Sequence, residues 1–168
     1  MVAGLYRRTM EEGFGGLTEL RYQSVGWGDA EAVALMATLR EVPCSGVVSL
    51  DLLGNYELRS GEALAGIFGQ LTGLRRLDLS LCGGLASLPD TIGQLSALQQ
   101  LTLGACNGLA SLPDTMGQLS ALKQLRLYGC SGLASMPDLS GLPGLEVQHL
   151  PDHLQPWEAG GRKAWKKE

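Results

Sequence analysis

Apolar positions in this chain follow a strand rhythm that returns at a fixed interval. In the run Gln100-Leu101-Thr102-Leu103-Gly104 polar and apolar residues alternate, the period of a strand with one buried face. Leu101 and Leu103 are expected to point inward, and Gln100, Thr102 and Gly104 outward. The same pattern follows Leu74, Leu98 and Leu122, which stand 24 residues apart (98 − 74 and 122 − 98). Each copy opens Leu-x-x-Leu-x-Leu-x-x-Cys-x-Gly-Leu-Ala-Ser-Leu/Met-Pro-Asp, and residues 84–101 and 108–125 differ only at Ile92/Met116 and Gln99/Lys123. A unit this short cannot bury its apolar face alone, so neighbouring copies must stack their strands in a parallel ladder and share one core. Pro89, Pro113 and Pro137 remove an amide donor and fix the turn that leaves the strand side. The outer segment Asp-Thr-Ile-Gly-Gln-Leu has room for about one helical turn.

The N-terminal half changes rhythm. Leu17-x-x-Leu20-x-Tyr22-x-x-Val25-x-Trp27 fits the strand template with aromatic replacements, and Asp29 then reads as the N-cap of a helix. Ala32, Leu35, Met36 and Leu39 follow at helical spacing. Val47-x-x-Leu50-x-Leu52-x-x-Asn55 repeats the strand with Asn in the cysteine slot, and Leu64, Ile67, Phe68 and Leu71 form a second helical stripe behind a Ser60 cap. The spacings of 30 and 27 residues (47 − 17 and 74 − 47) leave room for true helices. A helical back is wider than a slim one, so the arc is expected to flatten toward its C-terminal half.

These motifs resemble the leucine-rich-repeat family. The first repeats resemble the ribonuclease-inhibitor type, and the later 24-residue copies resemble the type found in plant immune receptors and intracellular Ras-binding repeat proteins. The resemblance implies an α/β solenoid with a parallel sheet on its concave face and helices or short helical turns on its convex face. We expect an edge segment over 1–16 and repeats over 17–150, starting near 17, 47, 74, 98, 122 and 145. The last copy looks degraded, since Leu145 comes 23 residues after Leu122 (145 − 122) and Gln148 then occupies the second leucine slot. A cap and basic tail are expected over 151–168, with Trp157 and Trp165 as cover and Arg162, Lys163, Lys166 and Lys167 as a solvated end.

Composition narrows the chemistry. Aromatic residues make up 5% and there are 24 glycines, which suits an aliphatic core with many turns. The net charge of −4 carries no basic footprint for nucleic acid. No apolar run approaches the roughly 18 residues of a membrane span, and the start shows no secretory h-region. Cys82, Cys106 and Cys130 fall 24 apart (106 − 82 and 130 − 106), one per layer, in the slot that Asn usually holds. They lack paired metal spacing and are expected to be inward, inert and free, which suits a reducing, cytoplasmic setting. His149 and His153 flank Pro151 with no third ligand nearby, so no metal or other cofactor is expected. Cys44 is the one thiol outside the ladder, and an enzyme would have to use it. No phosphate-binding G-x-x-x-x-G-K-[ST] occurs.

Variation among the copies sits in the strands RRLDLSLCG, QQLTLGACN and KQLRLYGCS, largely at positions that point outward. Thr91/Thr115 and Gln94/Gln118, read as exposed on the outer side, are identical, which argues against simple drift. The outward set is Arg21, Asp51, Arg76, Asp78, Gln100, Thr102, Gln124, Arg126 and Tyr128, with Arg76, Asp78, Arg126 and Tyr128 at its expected centre. Arg and Tyr often anchor interfaces. The expectation is a non-enzymatic, monomeric module that binds a protein partner on this face, and the resemblance extends that to signalling or immune-type sensing. The alternative is a structural or self-associating spacer of a larger protein.

Overall fold

The computed structural model describes residues 18–41, 44 and 46–154. Six three-residue strands form one sheet, all parallel and in chain order: β1 Glu19–Arg21, β2 Ser49–Asp51, β3 Arg76–Asp78, β4 Gln100–Thr102, β5 Gln124–Arg126 and β6 Glu146–Gln148. The alternation read from the sequence sets the register. Leu20, Leu50, Leu77, Leu101, Leu125 and Val147 pair side by side and are buried. Two residues on, Tyr22, Leu52, Leu79, Leu103 and Leu127 form a second buried row. Strands this short have little stability of their own, so the apolar layers beneath them hold the sheet.

The other side of the core is thicker at the N-terminal end. Helix α1 (Asp29–Glu41) buries Ala32, Leu35 and Leu39, and α2 (Glu62–Gln70) buries Leu64, Ile67 and Phe68. Later repeats replace these helices with single 3₁₀ turns, Asp90–Gln94 and Asp114–Gln118, each entered from an extended proline. Both helical stripes and the one-turn outer segments are as the spacing predicts. The first layer is closed by Tyr22 stacked on Trp27, with ring centroids 4.3 Å apart.

Three local expectations need correction. Asp29 does not cap α1: its Oδ1 accepts from the amides of Arg59 (2.9 Å) and Ser60 (3.0 Å) in the next repeat. Glu31 instead reaches back from the first turn, its Oε2 accepting from the Gly28 amide just ahead of the helix at 2.9 Å. Helix α2 starts behind Gly61, with no side-chain cap, so Ser60 does not act as one. In the last repeat Val147, and not Gln148, fills the leucine column, and Gln148 points outward. The edge segment over 1–16, Trp157, Trp165 and the basic residues of the tail lie outside the described residues.

The cysteine slot is an internal hydrogen-bond ladder. Asn55 begins it, fully buried, donating to the Tyr22 (2.8 Å) and Leu52 (2.7 Å) carbonyls and accepting from the Trp27 amide at 2.9 Å. Cys82, Cys106 and Cys130 continue it, each thiol donating to a carbonyl of the preceding layer: Leu52, Leu79 and Leu103, at 3.4, 3.1 and 2.8 Å. The invariant glycine of Cys-x-Gly also has a spatial cause. A Cβ on Gly108 would lie 2.7 Å from the Gly83 carbonyl oxygen, and one on Gly132 would lie 2.2 Å from that of Asn107.

Each of β1 to β5 is followed by a turn residue in the left-handed region: Ser24, Gly54, Leu81, Ala105 and Gly129 occupy equivalent places. Left-handed backbone costs an L-residue roughly 1–2 kcal/mol, partly offset in glycine by its freer unfolded chain. Ala105→Gly (φ 56° in Ala105) is therefore expected to raise stability by about 0.5–1 kcal/mol in urea titration. A loss of stability would contradict that strain.

Candidate functional site

The sheet presents its outward positions as parallel rows, with neighbouring strands about 4.8 Å apart. One row runs Glu19, Ser49, Arg76, Gln100, Gln124 and Glu146, and the next Arg21, Asp51, Asp78, Thr102, Arg126 and Gln148. Beyond them, where the strands end, lie Gln23, Leu53, Ser80, Gly104 and Tyr128. All nine residues expected to form a surface thus belong to one continuous face. Arg21, Arg76, Gln100, Arg126 and Tyr128 are exposed, while Asp51, Asp78, Thr102 and Gln124 are partly buried between neighbours.

Contacts divide that face into two halves. On β1–β3 the charges satisfy one another: Glu19 receives both Arg21 and Arg76, the latter at 3.0 Å. Asp51 accepts from Gln23 and from the Leu53 amide, and Asp78 from the Ser80 amide at 2.8 Å. In the middle, Gln100 donates to Gln124 at 3.0 Å above a low floor of Thr102 and Gly104. On β5–β6, Arg126 Nε donates to Gln148 Oε1 at 3.0 Å. Tyr128, 69% exposed, meets the edge of His149 with ring centroids 5.8 Å apart. Arg76 and Asp78 thus make their contacts on β1–β3, and Arg126 and Tyr128 theirs at the β5–β6 end. The latter pair gains Gln148 and His149, which the sequence reading left out. The alternation Glu146-Val147-Gln148 was the available signal for Gln148.

The unchanged outer threonines are less exposed than the sequence suggests. Thr91 and Thr115 are not freely exposed: Thr91 Oγ1 donates to the Ala65 carbonyl at 3.3 Å, and Thr115 Oγ1 is buried. A Cβ on Gly93 would sit 2.7 Å from the Thr115 carbonyl and 3.0 Å from Gln118 Oε1. Both threonines are therefore under packing constraint, and their identity is not a sign of a preserved exposed surface.

All four cysteines are free and buried. Burial is the main cause that pushes the Cys82 thiol up to about 11 and the Cys106 thiol up to about 12, and it raises Cys44 and Cys130 as well. Cys44 Sγ lies 3.8 Å from the Leu39 carbonyl. A buried thiol held neutral is a poor nucleophile at neutral pH. The linkage has a definite sign: unfolded thiols ionise near 9.0 while the folded ones stay neutral. Their stability contribution is intact below about pH 9 and is lost as pH rises toward 11–12. Urea midpoints should fall across that window, and less steeply in Cys106→Ala. An identical alkaline slope in that variant would refute the assignment. Among the described residues no group of three or more His, Cys, Asp or Glu side chains is placed to hold a metal ion. His153 Nε2 instead lies 2.6 Å from the Leu133 carbonyl. No helix among the described residues is long and apolar enough to cross a membrane.

The parallel sheet, the Asn/Cys ladder and the helical or 3₁₀ outer segments define a leucine-rich-repeat solenoid of the α/β class. Solved structures agree. The leucine-rich repeat domain of the type III effector XopL is similar, with a TM-score of 0.53 and 27% identity over 68% of this chain. A leucine-rich repeat protein of Leptospira interrogans matches with a TM-score of 0.53 and 21% identity over 88% of this chain. The chain spans 45% and 39% of the lengths of those two chains. No family model matches the sequence, and a search of curated proteins finds no match.

Proposed function

We propose that this chain is a non-enzymatic protein-interaction module that recognises a protein partner on the outward face of its sheet. The observation that carries the reading is where the copies diverge. Across the three copies the inward leucines and the ladder cysteine are constant, while the outward columns that hold Arg76, Asp78, Gln100, Thr102, Arg126 and Tyr128 change on one continuous face, as do the turn and flanking columns of Arg75, Leu81 and Gly83. Residues that hold the solenoid together are under packing constraint; the outward ones are not, and there the chemistry changes from strand to strand. Similarity to an effector repeat domain supports the scaffold and leaves the ligand to the site itself. Burial of every thiol argues against the one enzymatic route considered, a reactive cysteine. Four free thiols also suit a reducing, cytoplasmic setting. Signalling or immune-type sensing is the role by which the family resemblance extends this reading.

The test is capture of partners from a cell extract by the wild type and by the combined variant Arg76→Ala, Asp78→Ala, Arg126→Ala, Tyr128→Ala, after circular dichroism and melting show that both fold alike. We expect a partner held by the first and lost by the second. Equal capture by both would sink the reading, and mass that grows with concentration in light scattering would favour the spacer role.

A further inference from the structure

Charge is distributed unevenly over the outward face. On β1–β3 the two arginines share Glu19, and the carboxylates of Asp51 and Asp78 stand close by. An incoming anion there must displace Glu19 and approach two further acids. At β5–β6 the situation reverses. Arg126 is exposed, and its one side-chain partner among the described residues is a neutral amide, Gln148, held through Nε. Among the described residues no carboxylate reaches Arg126 within ion-pair distance. Glu146, the acid on β6, is paired with Gln124, in the row beyond Arg126. Gln148 steadies the guanidinium through Nε, and its two terminal amino groups make no hydrogen bond or ion pair among the described residues.

We infer that the β5–β6 end is an anchoring subsite for an acidic segment of a protein partner, with Arg126 receiving a carboxylate and the Tyr128–His149 pair forming an aromatic wall beside it. The inference rests on the reading of the outward face as the binding surface. Arg offers a planar fork that matches a carboxylate with two parallel hydrogen bonds, which a neutral partner cannot reproduce. Tyr128 is among the most exposed large side chains on the face, and its ring is braced edge-on by His149, so little freedom is lost when a ligand packs against it. Thr102 and Gly104 on the adjacent strand rise little above the sheet and leave space for an extended segment to run inward from this anchor.

A displayed library of random peptides selected on the full chain tests the subsite, with the selected peptides and their Asp→Asn or Glu→Gln counterparts as probes. The inference expects acidic residues to be enriched. Arg126→Ala should weaken the best peptide about tenfold or more, Arg126→Lys less, and Arg76→Ala by about twofold at most. Neutralising the critical acid of the peptide should cost as much as Arg126→Ala, and the two changes together little more than either alone. Peptides lost by Arg76→Ala or Asp78→Ala and untouched by Arg126→Ala would overturn this subsite and leave the surface reading standing. Selected peptides without acidic enrichment would overturn it too. Peptides indifferent to every outward substitution, or no selected peptide at all, would overturn both.

Discussion

Asn55→Ala is expected to destabilise the protein by about 3–5 kcal/mol, the largest effect of any single polar substitution among the described residues. Asn55 is fully buried, and its amide group serves three backbone partners at once. Alanine would take the Asn55 bond away from the Trp27 amide and the Tyr22 carbonyl, and leave the Leu52 carbonyl with the Cys82 thiol. Leaving a buried donor or acceptor unmade costs about 1–3 kcal/mol each, so even partial relaxation keeps the total large. The ladder supplies its own control. Cysteine stands in the equivalent position of the later repeats, where its thiol donates to the carbonyl of the preceding layer, as Cys82 does to Leu52. Asn55→Cys should therefore restore one donor bond, not the bond that Asn55 Oδ1 accepts from the Trp27 amide, and fall between wild type and Asn55→Ala. Urea unfolding followed by circular dichroism reads the order directly. If Asn55→Ala lies within about 1 kcal/mol of wild type, the ladder is ornamental at its first rung and the energetic account of it is wrong.

The ladder also shows which parts of the molecule could be read from sequence. The register of β2 to β5 followed from alternation and a fixed interval, because a strand slipped by one residue would expose every leucine it carries. The same arithmetic failed at β6. It counted from Leu145, whereas Val147 takes the leucine column and puts Gln148 on the surface. Asp29 had the residue type and position of a helix cap, but its carboxylate serves amides of the next repeat, a contact that local propensity cannot register. Thr91 and Thr115 looked exposed because the outer segment is short; the preceding layer half-buries them, Thr91 through the Ala65 carbonyl of α2 and Thr115 beside Gly93. For the binding face, membership was legible and pairing was not. Alternation places Arg76 and Arg126 on one surface, but only the strand order and side-chain geometry show that Arg76 is tied to Glu19 and Arg126 to a neutral glutamine.

Leu101→Ala should cost about 3 kcal/mol, and where the damage spreads matters more than its size. Leu101 is fully buried on β4, with Leu77 and Leu125 as its register partners on either side. A truncated side chain there opens a cavity shared by adjoining layers, and two flanking layers can fill it only by moving toward one another. In a stack whose stability is a sum of repeats and nearest-neighbour interfaces, a central defect weakens two interfaces at once. The comparison is Val147→Ala on β6, the last described strand, which has a smaller side chain and β5 as its one described neighbour. Amide hydrogen exchange separates the two cases. Leu101→Ala should reduce protection on β3, β4 and β5 together, with a broadened urea transition as the halves of the array uncouple. Val147→Ala should reduce it on β6 and the adjoining edge of β5 alone. Uniform loss of protection over all strands in both variants would mean that the array unfolds as one unit, and that the interfaces between repeats are stronger than the repeats they join.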